Sequence, residues 1–302
     1  MRAAAFTEFG GPEVLRLTEL PDPKPGPGEV RVQVRAAGVQ PADVAVRQGW
    51  GPPGATVSFP QIPGNEFAGV VDLVGEGVTG WAPGDDVLGF TTLTAYAELV
   101  VVPADQLVRK PQSMPWEVAG SLSASGQTAH RALRLLEVGK GDTVLIHAAA
   151  GGVGSIAVQL ARLAGASVVG TASPANHDYL RELGAIPVTY GDGLVDQVRE
   201  VAPDGVDVVI DAAGGDALRT SVELVGNRDR IGTLVAMDLA DELGVRKLRG
   251  DRTGARLGEL VSLWEQGKLA VHVRATYPLE RAADAQRDVA TGHGRGKVVL
   301  LV

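Results

Sequence analysis

Residues 149–154 read Ala-Ala-Gly-Gly-Val-Gly, between the apolar run "TVLIHA" and the pattern "SIAVQLARLAG". The spacing is that of a G-x-G-x-x-G turn with Ala149 in the first place. Val153, Ile156, Ala157, Leu160, Ala161 and Ala164 recur at helical spacing, and Gly165 is a natural stop. A glycine-rich turn is more often only a turn, but this one lies between a strand and a helix. That placement points to a dinucleotide pyrophosphate. Gly151 would let the backbone approach the phosphates, and Gly154 would let the helix lie close on the strand. The helix start at Gly152, Val153 and Gly154 would offer free N–H groups to the anion. No Gly-Lys-Ser/Thr follows, which disfavours a triphosphate loop.

The next strand ends "VVGTASPANHDYL". An NAD site carries an Asp or Glu there, about 20 residues on, for the ribose 2′-OH. Here no carboxylate stands from Val168 to His177. A carboxylate would repel a 2′-phosphate, so its absence permits NADP. Ser173-Pro174 reads as an N-cap followed by the first helical residue. Ser173 and Asn176 are then either phosphate donors or parts of a plain helix cap. No Arg or Lys occurs in this loop.

Other chemistries find little support. There are no cysteines, which removes disulfides, thiol catalysis and thiolate metal sites. No Ser-His-Asp signature or His-Glu-x-x-His run is present. His130, His147, His177, His272 and His293 show no ligand spacing. Asp43 and Arg47 suggest a structural ion pair, and Tyr96 a core position in a strand. The net charge is −8 with scattered basic residues, which argues against a nucleic-acid partner. No apolar run reaches membrane-spanning length, and "MRAAAFTEFGGPEVLRL" lacks the apolar stretch of a signal peptide. A cytoplasmic protein with no membrane partner is expected.

The surrounding texture predicts what holds the turn in place. To about residue 110 the chain reads as strands and turns. "EVRVQVRAAGV" alternates with Val30, Val32 and Val34 on one face. From about residue 115, the buried-strand runs "DTVLIHA", "ASVVGTA", "GVDVVIDAAG" and "DRIGTLVAM" alternate with helical patterns. That predicts a parallel sheet covered on both faces, an α/β fold. The tail, "AVHVRATYPL" and "GKVVLLV", returns to β character and is expected to rejoin the first part.

Several stretches together resemble the zinc-free quinone oxidoreductase branch of the medium-chain dehydrogenase/reductases. They are "GGPEVLRL", "PGPGEVRVQVRAAGVQPADVAVRQG", "GNEFAGVV", "GVTGWAPGDDVLG", "AYAELVVVPADQL", "TVLIHAAAGGVG" and "GHGRGKVVL". The resemblance covers almost the whole chain. It implies a GroES-like catalytic domain, residues 1–115 and 270–302, and a doubly wound Rossmann domain, residues 116–269. It implies NADPH and a small-molecule substrate in the cleft between them, and a homodimer. On this resemblance, Gly151, Gly152, Val153 and Gly154 meet the pyrophosphate. Thr128 in "SGQTAHRAL" stands beside the nicotinamide. Ser173, Asn176 and Tyr190 approach the 2′-phosphate, although Ala175 replaces the basic residue common there. Gly214 and Gly215 follow the strand that passes the ribose. Arg295, Gly296 and Lys297 resemble the C-terminal segment near the cofactor, with a solvated surface residue the other reading of Lys297.

The resemblance implies that Gln40 in "GVQPAD", Asn65 in "GNE" and Ala124 stand where zinc relatives place Cys, His and Cys. An amide oxygen is a poor zinc ligand, so no metal is expected. Many zinc-free relatives carry Asn at the position of Gln40. Gln40, Asn65 and Thr128 are expected to line the substrate pocket and orient the substrate, with no single catalytic acid. Gln40 also admits a domain-packing hydrogen bond, and Asn65 a turn residue. The stretches "RQGWGPPGATVSF" and "MDLADELGVRKL" are expected to line the rest of the pocket. The family acts by hydride transfer to quinones, enones or enoyl thioesters. The alternative keeps the fold without redox chemistry, as a cyclase-like tailoring enzyme or a cofactor-binding structural protein.

Overall fold

The structure, a computed structural model, describes residues 1–52 and 54–302. Strand β1 (Arg2–Ala5) pairs antiparallel with β2 (Arg16–Glu19). Next come β3 (Glu29–Val39), α1 (Pro41–Arg47), β4 (Glu66–Val74), β5 (Asp86–Phe90), β6 (Leu99–Pro103) and β7 (Leu107–Arg109). The long helix α2 (Trp116–Leu135) follows. An alternating segment then runs β8 (Thr143–Ile146), α3 (Gly152–Leu163), β9 (Ser167–Ala172), α4 (His177–Glu182) and β10 (Ile186–Thr189). It continues through α5 (Leu194–Val201), β11 (Val208–Asp211), α6 (Asp216–Leu224), β12 (Ile231–Thr233), α7 (Met237–Leu243) and β13 (Arg246–Lys247). The chain ends with α8 (Gly254–Glu265), β14 (Val273–Pro278), α9 (Ala282–Ala290) and β15 (Lys297–Leu301).

The first sheet has the order β14-β15-β3-β4-β5-β7, with β6 also paired to β3. Val30, Val32 and Val34 of β3 are buried on one face as their alternation requires, while Gln33 and Arg35 are exposed. Past Ala36 the strand is buried on both faces, because α2 covers the other side. Gly120 makes this possible: a Cβ there would stand 2.6 Å from the Ala36 carbonyl oxygen. The returning tail closes the sheet, with β15 antiparallel to β3.

The second sheet is parallel throughout, in the order β10-β9-β8-β11-β12-β13. Numbered from β8, that is 3-2-1-4-5-6, the doubly wound order. Val144 and Ile146 face a core shared with Ile156 and Leu160 of α3 and Leu257 and Leu260 of α8. Leu145 faces the opposite core, with Leu194, Val198 and Leu218. The chain leaves β8 toward β9 on one side and later places β11 on the other. A crevice therefore opens beyond the ends of β8 and β11, where open α/β sheets bind ligands. No described helix is long and apolar enough to cross a membrane.

Candidate functional site

The glycine turn sits at that crevice, and its glycines do different work. Gly151 is the N-cap of α3. A Cβ on it would meet only the Ala148 carbonyl oxygen, at 3.2 Å. The space before the helix is otherwise open, and the first-turn N–H groups of α3 have no intrahelical acceptors. At Gly154 a Cβ would lie 2.3 Å from the Ala148 oxygen and 2.7 Å from Ala149 Cα, so α3 rests directly on the turn. At Gly152 it would lie 2.9 Å from Lys297 Cδ and 3.1 Å from Ser125 Oγ. Val153 is half-buried against the core. The C-terminal segment is tied here as well, since the Gly296 N–H donates to the Ala150 carbonyl at 2.9 Å.

At the end of β9, Ser173 is the N-cap and Pro174 the first residue of a short 3₁₀ helix, Pro174–Asn176, that runs directly into α4, and the Ser173 side chain makes no capping hydrogen bond. Instead Asn176 Nδ2 donates to Ser173 Oγ at 3.2 Å. Tyr190 follows β10 and is half exposed. Ala175 is exposed in the 3₁₀ turn. A cation does approach this corner, from the far end of the chain. The Arg295 guanidinium lies over the Tyr179 ring, 5.3 Å from its centroid, and Arg295 Nε donates to His272 Nε2 at 3.0 Å. Tyr179 lies three residues past Asn176, on α4. Burial pushes the His272 pKa down, and Arg295 and Arg274 push it further. Tyr179 and His272 escape the sequence reading, because each looks like an ordinary half-buried aromatic.

Gly214 and Gly215 follow β11 with φ of 77° and 56°. Their turn is built by the buried Asp211. Its Oδ1 accepts from the N–H groups of Ala213 and Gly214 at 2.9 and 2.8 Å, and its Oδ2 from Thr233 Oγ1 at 2.7 Å.

A buried polar hub stands on the other side of the glycine turn. Its centre is Glu66, fully buried at the start of β4. One carboxylate oxygen accepts from Gln40 Nε2 and from Lys297 Nζ, the latter at 2.9 Å. The other accepts from the Ala124 backbone N–H at 2.6 Å. Lys297 Nζ also donates to Ser125 Oγ at 3.2 Å. Lys297 is thus a buried ion-pair partner, only 3% exposed, and not a solvated surface residue. Gln40 and Glu66 both belong to the N-terminal half of the chain, so this hydrogen bond lies within it. Thr128 lies one helical turn beyond Ala124 on α2 and is half-buried.

Asn65 precedes this hub. Its carbonyl accepts from the Thr91 N–H at 3.1 Å and from Arg252 Nη1 at 2.6 Å, while its side-chain Oδ1 is buried without a partner. Arg252 also lies over the Phe90 ring, at 5.1 Å. Of the stretches expected to line the pocket, Pro53 lies outside the described residues.

Two local expectations are corrected. Asp43 does not pair with Arg47. Its Oδ2 accepts from the Gln40 N–H and the Tyr96 hydroxyl, each at 2.8 Å. Arg47 instead donates to Gln286 Oε1 at 2.6 Å and to the Gly10 carbonyl. Tyr96 is buried as expected, but in a bend before β6, not in a strand. Burial raises the Asp43 carboxyl pKa to about 7, against the opposing pull of those two hydrogen bonds.

Comparison with known proteins agrees with this architecture. Residues 26–112 match the family described as alcohol dehydrogenase GroES-like domain, and residues 183–300 match the one described as zinc-binding dehydrogenase. The synaptic vesicle membrane protein VAT-1 homolog of Homo sapiens is 33% identical over 349 residues, covering 100% of this chain and 86% of that protein. The quinone oxidoreductase of Pseudomonas aeruginosa is 34% identical over 326 residues, covering 98% of each. The solved structure of Escherichia coli quinone oxidoreductase complexed with NADPH superposes with a TM-score of 0.89 at 28% identity, covering 100% of both chains. With its doubly wound sheet, glycine turn and full-length likeness, the chain belongs to the medium-chain dehydrogenase/reductases, in their quinone oxidoreductase branch.

Proposed function

We propose that this chain is an NADPH-dependent reductase of a quinone or α,β-unsaturated carbonyl and works without zinc. One observation carries the reading. The open glycine turn and the Gln40–Glu66–Ala124 hub are joined through Lys297, whose stem lies against Gly152, which supports reading them as one site. NADPH supplies the hydride when bound. Gly151 leaves room for its pyrophosphate, and the α3 N-terminus offers N–H donors. Ser173, Asn176, Tyr190 and Arg295 would meet the 2′-phosphate, with Arg295 supplying the charge that Ala175 does not. Gly214 would keep the passage beside the ribose clear.

The substrate would meet Gln40, Asn65 and Thr128. Glu66 occupies one N–H of the Gln40 carboxamide and the α1 capping box engages its oxygen, which leaves the second N–H to orient a carbonyl. Asn65 Oδ1, buried and unpartnered, is the acceptor available to a bound group. The donor set does not suit zinc. Gln40, Asn65 and Ala124 offer at most amide oxygens, and no cluster of three His, Asp or Glu side chains forms among the described residues.

The test is NADPH oxidation against a panel of quinones and enones, with and without a chelator. Acceptor-dependent oxidation indifferent to the chelator is expected. Tight NADPH binding with no turnover of any acceptor would overturn the redox reading, and activity lost to the chelator would overturn the zinc-free one.

A further inference from the structure

The hub has a property that the reductase reading does not use. Four segments distant in sequence meet on one carboxylate: Gln40 at the β3–α1 junction, Glu66 on β4, the Ala124 peptide on α2, and Lys297 on β15. Glu66 is fully buried, and its charge is matched by an ammonium group that is itself nearly inaccessible. Buried pairs of this kind rarely add stability over an apolar replacement, so the arrangement asks for another reason. The contacts supply one. Glu66 receives Gln40 through Nε2, which fixes which end of that carboxamide is committed. The Gln40 side chain also takes part in the capping box of α1, toward the Asp43 backbone N–H, so it is the second N–H of the carboxamide that is left for the pocket. A free Gln side chain would sample many rotamers and both amide orientations.

We propose that Glu66, held in place by Lys297, is the positioning residue of the substrate pocket, and that it acts through Gln40. This rests on the reading that Gln40 faces the substrate. Lys297 restrains the carboxylate from one side and the Ala124 N–H from the other, so Glu66 cannot turn away from Gln40. The Lys297 stem passes Gly152, which brings the same restraint up to the glycine turn. The orienting group is thereby tied to the floor of the cofactor site by two side chains.

Removing only Glu66 or only Lys297 would strand a buried charge, so the test removes both. Glu66→Gln/Lys297→Met, Gln40→Leu and the triple variant are compared for kcat/KM with a quinone acceptor and for NADPH affinity by titration. The double variant and Gln40→Leu are each expected to lose about tenfold in kcat/KM, and the triple variant to lose no more than Gln40→Leu alone. NADPH affinity should stay near that of the unmodified protein. Losses that multiply in the triple variant would overturn the proposal. So would a fall in NADPH affinity as large as the fall in kcat/KM, because Lys297 would then serve the cofactor directly. If the double variant fails to fold, Glu66→Asp keeps the charge but is too short to reach Gln40, and the same comparison is made with it. Quinone turnover unaffected by Gln40→Leu would instead refute the pocket reading itself.

Discussion

Gly151 and Gly154 are three residues apart, and they should fail in different ways. A side chain at Gly151 meets one carbonyl oxygen and otherwise projects into open space. Gly151→Val is expected to abolish NADPH binding while leaving the thermal midpoint nearly unchanged, measured by titration and melting of the same preparation. At Gly154 the added Cβ collides with backbone. Gly154→Ala should cost about 1–3 kcal/mol in denaturant unfolding, the usual range for overpacking. Cofactor choice is a second question of single residues. Ser173, Asn176 and Tyr190 offer neutral donors, and hydrogen bonds to a charged group contribute roughly 1.5–3 kcal/mol. NADPH is therefore expected to bind more tightly than NADH by about ten- to a hundredfold. Arg295→Ala should narrow that margin. Ala175→Arg should widen it and make it more sensitive to salt. Parallel titrations with both cofactors decide the matter, and equal affinities would mean that this corner does not read the 2′-phosphate.

Between elements, the loop from Leu248 to Thr253 joins the two sheets. It is held to α2 where Arg131 Nη1 donates to the Gly250 carbonyl at 2.8 Å and the Thr253 N–H donates to Gln127 Oε1 at 2.8 Å. Arg252 then reaches across to the carbonyls of Asn65 and Thr91. Arg252→Ala should speed amide exchange in residues 248–253 and at Thr91, and lower kcat/KM without changing NADPH affinity. Unchanged exchange would show that the loop is held without Arg252. Little of this junction is legible in the sequence, and the reason is distance along the chain. The β8–turn–α3 unit is contiguous, so its period and its glycines announce it. Glu66 is separated from Gln40 by 26 positions, from Ala124 by 58 and from Lys297 by 231. It stands in the motif "GNEFAGVV" beside Asn65 and draws no attention there. The usable signal is a carboxylate at the head of an otherwise apolar strand, which must find a partner or lose its charge. Arg47 misleads for the opposite reason: at i+4 from Asp43 the two invite pairing, but burial gives each a different partner.

For the whole molecule, the buried titratable groups pull stability in opposite directions as pH changes. His147 directly follows β8, with Nε2 3.0 Å from Ser221 Oγ on α6. Burial lowers its pKa from 6.5 to about 4, against the opposing influence of Asp211. Between those values the unfolded chain holds the extra proton, so this contribution is full above pH 6.5 and is lost as pH falls toward 4. The size is roughly 3 kcal/mol. Asp43 works the other way. Its carboxyl keeps a proton up to about pH 7 in the fold but only to 3.8 when unfolded, so its contribution falls as pH rises through that window. The two largely offset each other from pH 4 to 6.5. Asp43→Asn should expose the His147 slope, giving urea midpoints that rise with pH more steeply than in the unmodified protein. His147→Gln should expose a falling slope. Parallel curves for all three proteins would show that neither group titrates as its burial demands.

The tail strand has one more consequence, for a chain being made from its N-terminus. The parallel sheet draws its strands from residues 143–247 and can assemble once these have emerged. The first sheet cannot close then. The Ala36–Val39 end of β3 must wait with one edge bare until β15 arrives, because β6 covers only Glu29–Gln33 on that edge, and Glu66 must wait 231 residues for its counter-charge. On the ribosome, the half synthesised first is therefore finished last. A nascent chain stalled just before Lys297 should carry a settled nucleotide-binding sheet beside an unlatched, protease-sensitive N-terminal half.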